Sequence, residues 1–244
     1  MLYPGVSLEG MLQGYRDQYL QKRGWVCSVE KRSSVDERGE AIPWLTYPAC
    51  TFLAQIVRPE FKVFEFGSGS STIWWGARVA EVHSVDHDAA WVGRTRPQCS
   101  ANVNLRLIPA DTPCAETGAD LLTRYFTEVS EPPSALDRET LFRRGLLSEP
   151  FRAYAADILR FSSGYFDVIV IDGMARALTT WLTVQHARPK QFIVFDNSDR
   201  EEYAPAYAML KDAGYHRIDF WGTGPINPYE WCTTIFLRDL RVLP

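Results

Sequence analysis

The sequence predicts an α/β fold: a seven-stranded, mostly parallel sheet with helices on both faces and an antiparallel last strand. Three observations predict it. Seven short apolar runs follow one another from residue 62 onward: Lys62–Phe66, Glu81–Asp86, Asn104–Ile108, Phe166–Ile171, Gln191–Asp196, His216–Trp221 and Thr233–Leu237. The earlier intervals leave room for a helix, the rhythm of parallel strands joined by right-handed crossovers. The last interval does not. Trp221-Gly222-Thr223-Gly224-Pro225-Ile226-Asn227-Pro228-Tyr229 is a turn-rich connector, so the seventh strand returns antiparallel beside its predecessor.

Hydrophobic residues make up 46% of the 244 and charged residues 23%, which is enough apolar side chain for a real core in one sizeable domain. A helical lead segment and loop are expected over 1–45. The main domain then runs over 46–244, with an insertion at about 112–150 where a Pro- and Glu-containing stretch lengthens one connection. A formal charge of −4 gives no basic footprint, so neither nucleic acid nor an anionic membrane is expected as a partner. No apolar run approaches the roughly 20 residues that span a bilayer. Met1-Leu2-Tyr3-Pro4 has neither a charged n-region nor an apolar h-region. The five cysteines are scattered and never form Cys-x-x-Cys, which points to a reducing compartment without structural zinc. The expectation is a cytoplasmic protein with a small-molecule substrate, for which a homodimer stays open.

Along the lead segment, Leu8, Met11, Leu12, Tyr15 and Tyr19 recur at helical spacing, and residues 28–41 read as a polar surface loop. Thr46 is placed to cap a second helix, with Pro48 in its first turn and Ala49 to Val57 as its body.

The chemistry starts at Val63-Phe64-Glu65-Phe66-Gly67-Ser68-Gly69-Ser70-Ser71, a strand running into a glycine turn and then a helical stretch, Ile73 to Val79. Glycines let the backbone turn sharply and approach a ligand, and the helix end offers free N–H groups. A bare Gly-x-Gly suits several nucleotide folds. Three acids narrow it. Glu65 before the turn would repel a phosphate but suits a cationic sulfonium compound bearing an amino group. Asp86, ending the second strand, sits where a carboxylate accepts hydrogen bonds from ribose hydroxyls. Asp111, just past the third strand, is placed to meet an adenine edge. Each alone reads equally well as a solvated turn carboxylate. His87, beside Asp86, is a candidate neighbour of the adenosine.

Glu65-Phe66-Gly67-Ser68-Gly69 resembles the first motif of class I S-adenosylmethionine-dependent methyltransferases, with Ser71 where many members carry a third glycine. The resemblance covers roughly residues 45 to 238 and implies a Rossmann-like sheet of order 3-2-1-4-5-7-6, with S-adenosylmethionine held by Glu65, Gly67, Ser68, Gly69, Ser71, Asp86, His87, Asp111 and Asp172. Pro43-Trp44-Leu45-Thr46-Tyr47-Pro48-Ala49 and Asp196-Asn197-Ser198-Asp199-Arg200 are similar to stretches in a group of bacterial methyltransferase-like proteins of undefined substrate.

Ligands in open α/β sheets lie beyond the carboxyl ends of the strands. That edge collects Asp172-Gly173 and Asp196-Asn197, two carboxylates and an amide oxygen able to bind a hard cation such as Mg²⁺. The pattern is similar to that of metal-dependent O-methyltransferases, which implies Asp172, Asp196 and Asn197 as metal ligands and Asp172 and Asp196 as catalytic groups. The lysine of the catechol-type members is missing, since Gly173-Met174-Ala175-Arg176 follows. The reading without metal is that both aspartates cap turns or bind cofactor and water. Trp44, Tyr47, Tyr229 and Trp231 are candidates for an aromatic substrate wall, with Asn227 in the roof connector and Arg176 and Arg200 as anchors for an anionic group; packing and solvated helix starts are the plainer roles. The sequence thus points to O-methylation of a small polar metabolite. An N- or protein methyltransferase and a non-catalytic nucleoside-binding member are the alternatives.

Overall fold

The computed structural model describes residues 7–114, 119–129, 137, 139–140 and 147–242. Its strands are β1 (Lys62–Phe66), β2 (Glu81–Asp86), β3 (Val103–Leu107), β4 (Val168–Ile171), β5 (Phe192–Asp196), β6 (His216–Gly222) and β7 (Trp231–Leu237). They form one sheet of order β3-β2-β1-β4-β5-β7-β6. β1 to β5 pair in parallel, and β7 runs antiparallel between β5 and β6. The predicted hairpin forms, with its ladder extending to Trp231 opposite Gly222. That extension moves Trp231 out of the roof connector and into the sheet.

Helices cover both faces. On one lie α3 (Tyr47–Ile56) and α4 (Ser70–Gly76), packed on Val63, Val82, Val170, Val194 and Ile235. On the other lie α6 (Ala119–Glu128), α7 (Arg152–Ala156), α8 (Arg176–Leu182) and α9 (Ala204–Asp212), against Phe64, Phe66, Ile169, Ile171 and Phe195. The strand's period of two sorts β1: Phe64 and Phe66 face the second group, Val63 and Glu65 the first. Each fully buried Phe contributes about 1.5–3 kcal/mol.

The lead segment holds α1 (Leu8–Gly14), continued by a wider turn over Tyr15–Leu20, and α2 (Trp25–Lys31), which takes up the start of the stretch expected as loop. The apolar stripe of α1 stays exposed at Leu8, Met11 and Leu12. The segment sits on the β6–β7 connector, where Tyr15 Oη is 3.2 Å from Thr223 Oγ1 and Trp25 Nε1 donates to Asn227 O at 3.0 Å. Thr46 precedes α3 as expected, but its hydroxyl donates to Phe220 O at 2.9 Å and not to the helix. Within the expected insertion α6 is described; residues 115–118, 130–136, 138 and 141–146 lie outside the described residues.

α5 (Ala89–Thr95) connects β2 to β3. Strand order reverses between β1 and β4, so the crevice at their carboxyl ends is where this architecture places a ligand.

Candidate active site

Glu65 organises the glycine turn from behind. β1 pairs with β2 so that Glu65 lies opposite Ser84, on the face covered by α4. Glu65 Oε2 accepts from Ser84 Oγ at 2.8 Å and from Thr72 Oγ1, and Thr72 in turn accepts from the Gly69 N–H at 2.9 Å. Burial raises the carboxyl to about 7, and the surrounding hydroxyls pull it back only in part. Its other oxygen, Oε1, is buried without a hydrogen-bond partner among the described residues. Glu65 lines neither cavity of the site, so it shapes the turn and does not face the ligand space.

Asp86 holds the turn from the side. Its Oδ2 accepts from Ser68 N at 2.7 Å and Ser68 Oγ at 2.9 Å, and Oδ1 accepts from Asp88 N at 3.0 Å, with His87 Nδ1 at 3.4 Å. Burial opposes its ionisation, yet the bonds from His87, Asp88 and Ser68 outweigh it and keep the carboxyl below its usual range. One turn into α5, Trp91 folds back: its Nε1 donates to Ser68 O, and a Cβ on Gly69 would lie 3.3 Å from the indole. A side chain there would push the ring back by a few tenths of an ångström.

Beyond β4 and β5 the structure ties a knot around Arg176. The guanidinium, 6% exposed, donates to the carbonyls of Asp172, Gly173 and Asp196 and to Asp172 Oδ1 at 3.1 Å. Asp196 Oδ1 accepts from Trp231 Nε1 at 3.0 Å and from Thr233 Oγ1 at 2.5 Å. Enclosure pushes Asp172 well above the usual carboxylate range, helped by the charge of Asp196 and opposed by Arg176. Asp196 is raised as well, by burial.

Two cavities open at this edge. The first, about 440 Å³, lies between the turn and the β6–β7 connector; Trp44, Asp196, Asn197, Asn227, Tyr229 and Trp231 line it, along with Ser68 to Ser71. The second, about 360 Å³, is lined by Gly67, Asp86, His87, Met174, Arg176 and Tyr203. Ser68, Trp91, Asp172 and Arg200 belong to both, so the two spaces meet there.

Most predicted site residues therefore converge, with three exceptions. Glu65 lies behind the turn. Tyr47 is 1% exposed in the core, edge-on to Tyr19, and lines neither cavity. Asp111 sits exposed in a left-handed turn (φ 60°), tied by its backbone to Pro150 O and away from both cavities. Sequence reasoning missed Trp91, Asp199, Glu230, Met174 and Tyr203. Trp91 had a signal: an aromatic one turn past the acid that ends β2 points back at the glycine turn.

Asp172, Asp196 and Asn197 do share the first cavity, but they do not fit a divalent cation. A guanidinium already neutralises Asp172, and one oxygen of Asp196 is filled by two donors. A second positive centre beside Arg176 would be repelled in a poorly solvated place. Among the described residues no group of three or more His, Cys, Asp or Glu could hold a metal ion. No described helix is long and apolar enough to cross a membrane.

The fold is that of class I methyltransferases. The order 3-2-1-4-5-7-6 with β7 antiparallel decides it. No protein-family model and no curated protein sequence matches the chain. Among solved structures it is similar to precorrin 8W decarboxylase from Methanobacterium thermoautotrophicum, at 12% identity and a TM-score of 0.47 over 80% of this chain and 92% of that one. It is similar also to precorrin-6y C5,15-methyltransferase from Geobacter metallireducens (9%, 0.47, 78% and 86%). Magnesium protoporphyrin IX methyltransferase from Synechocystis with bound SAH is a third (10%, 0.43, 77% and 78%). These likenesses are too distant to speak to acceptor or activity, and the sheet order rests on this chain's own strand pairing.

Proposed function

We propose that the chain transfers a methyl group from S-adenosylmethionine to a hydroxyl of a small polar metabolite. The observation that carries the reading is the junction of two cavities at Ser68, Trp91, Asp172 and Arg200, with the Asp86 carboxylate on one side and a polar, aromatic-lined space on the other. A nucleoside suits the second cavity and an acceptor the first.

When bound, the cofactor supplies a methyl group on a sulfonium, which departs as a neutral thioether. Asp86 is suited to orient a ribose diol; Ser68 Oγ shares the same carboxylate oxygen and can rotate away to free a lone pair. The Arg200 guanidinium makes no ion pair among the described residues and lines the junction, where it is available to a cofactor carboxylate. Asp172, paired with Arg176 through Oδ1 and lining the junction of the two cavities, is suited to take the proton of an acceptor hydroxyl as the oxygen attacks. Trp44, Tyr229 and the β6–β7 connector shield the acceptor from water. No step needs a metal.

Calorimetry with S-adenosylmethionine and its demethylated product, followed by turnover on a panel of hydroxyl-bearing metabolites, tests the proposal. Micromolar binding of both nucleosides and EDTA-insensitive turnover are expected. A folded chain that binds neither would end the reading.

A further inference from the structure

We infer that the acceptor admitted to the first cavity carries a cationic nitrogen, an ammonium or guanidinium group on a small molecule. The term acceptor rests on the methyltransferase reading; the charge does not.

The charges on the cavity wall are uneven. Asp172, Asp196, Asp199 and Glu230 contribute carboxylates, and Arg200 alone contributes a guanidinium. They are not equally available. Asp172 is paired from behind by Arg176, and Asp196 spends one oxygen on Trp231 and Thr233. Among the described residues Asp199 accepts from the Cys232 N–H, at 3.1 Å, and makes no ion pair. Glu230 is exposed and has no hydrogen bond or ion pair among the described residues. Arg200 lines both cavities, so its one guanidinium is shared between them. With four carboxyl groups against one guanidinium, and Asp199 and Glu230 outside any ion pair among the described residues, the lining of the first cavity is net negative.

The aromatic lining is an independent feature of the same space. Trp44, Tyr229 and Trp231 all face it, and Tyr229 meets Trp231 edge-on with ring centroids 6.3 Å apart. Aromatic faces attract cations, most strongly where water is partly excluded. An anionic acceptor would be repelled by the same wall. A neutral polyol would gain little from the rings and nothing from the net charge. A cation gains from both.

Two charge series of matched shape test the inference on the full chain: tyramine, tyrosol and 4-hydroxyphenylacetate; and putrescine, 1,4-butanediol and succinate. Binding is followed by tryptophan fluorescence and calorimetry, with and without S-adenosylhomocysteine, at low and high salt. The cation is expected to bind at least about tenfold more tightly than its neutral and anionic counterparts in one series, and to weaken as salt screens the wall. Glu230→Gln and Asp199→Asn should each weaken that binding roughly two- to fivefold, as the loss of one solvent-exposed charge partner implies. Glu230 is exposed, so its variant keeps the fold. Neutral or anionic members binding as tightly in both series, salt-independent binding, or no binding at all would overturn the inference. The nucleoside titration in the same samples separates the two readings. Nucleoside binding without cation preference defeats this inference alone, whereas cation preference without nucleoside binding defeats the methyltransferase reading alone.

Discussion

Gly67 and Gly173 press their backbones together where β1 and β4 end. A Cβ on Gly67 would lie 2.7 Å from Gly173 N, and one on Gly173 would lie 2.8 Å from Gly67 N and overlap the Tyr154 hydroxyl. Gly67 also sits at φ 93°, a conformation that L side chains rarely adopt. Both glycines line the second cavity, so this contact shapes its wall. Gly67→Ala should therefore destabilise the chain by at least about 2–3 kcal/mol through overpacking and backbone strain together. A denaturant midpoint equal to that of the parent chain would show that the turn relaxes freely.

Arg176 is the hub on the other side of the crevice. Replacing it by Met leaves three carbonyls and Asp172 without their donor, and loss of one member of a buried pair costs roughly 3–5 kcal/mol. Arg176→Met is expected to unfold at a much lower temperature. A double variant with Asp172→Asn should recover part of the loss by removing the stranded charge, and thermal melts of the pair would reveal any failure to do so.

Glu65 predicts a pH dependence of stability. Its folded value of about 7 lies above the ordinary 4.5, so the folded state holds a proton that the unfolded chain has lost. The associated stability is fully present below about pH 4.5 and is lost as pH rises through 7. Its full extent is on the order of 3 kcal/mol. Glu65→Gln should flatten the slope of melting temperature against pH between about 5 and 8, and an unchanged slope would place the titration elsewhere.

Asp86, at the end of β2, and Asp111, in the turn beyond β3, should behave oppositely. Asp86→Ala is expected to weaken nucleoside binding by about 1–2 kcal/mol, roughly tenfold, because a charged acceptor is removed from the second cavity. Asp111→Ala, on an exposed turn outside both cavities, should leave that affinity unchanged. Isothermal titration of the two variants checks both halves.

The sequence by itself determined the sheet and the ligand edge. Apolar runs of strand length, helix-sized intervals and one helix-free connector suffice for seven strands, a parallel series and a closing antiparallel hairpin. The order of the strands came instead from the resemblance of Glu65-Phe66-Gly67-Ser68-Gly69 to the methyltransferase motif. The glycine turn, Asp86 and the acids ending β4 and β5 were legible for the same reason: strand ends are read directly from the pattern. Which way a side chain faces at those ends was decided only by tertiary structure. Glu65 has period-two parity with Val63, so it points under α4 to Thr72 and Ser84 and not at a ligand. Tyr47 is turned into the core, and Asp111 is carried outward by a left-handed turn. Arg176 follows Asp172 by four residues, but no local pattern says that its guanidinium will reach across to the Asp196 carbonyl at the end of β5. Trp91 and Glu230 reach the site from elements that meet only after the sheet has closed. Local periodicity sets where the chain turns, whereas facing and neutralisation depend on contacts between residues far apart in sequence.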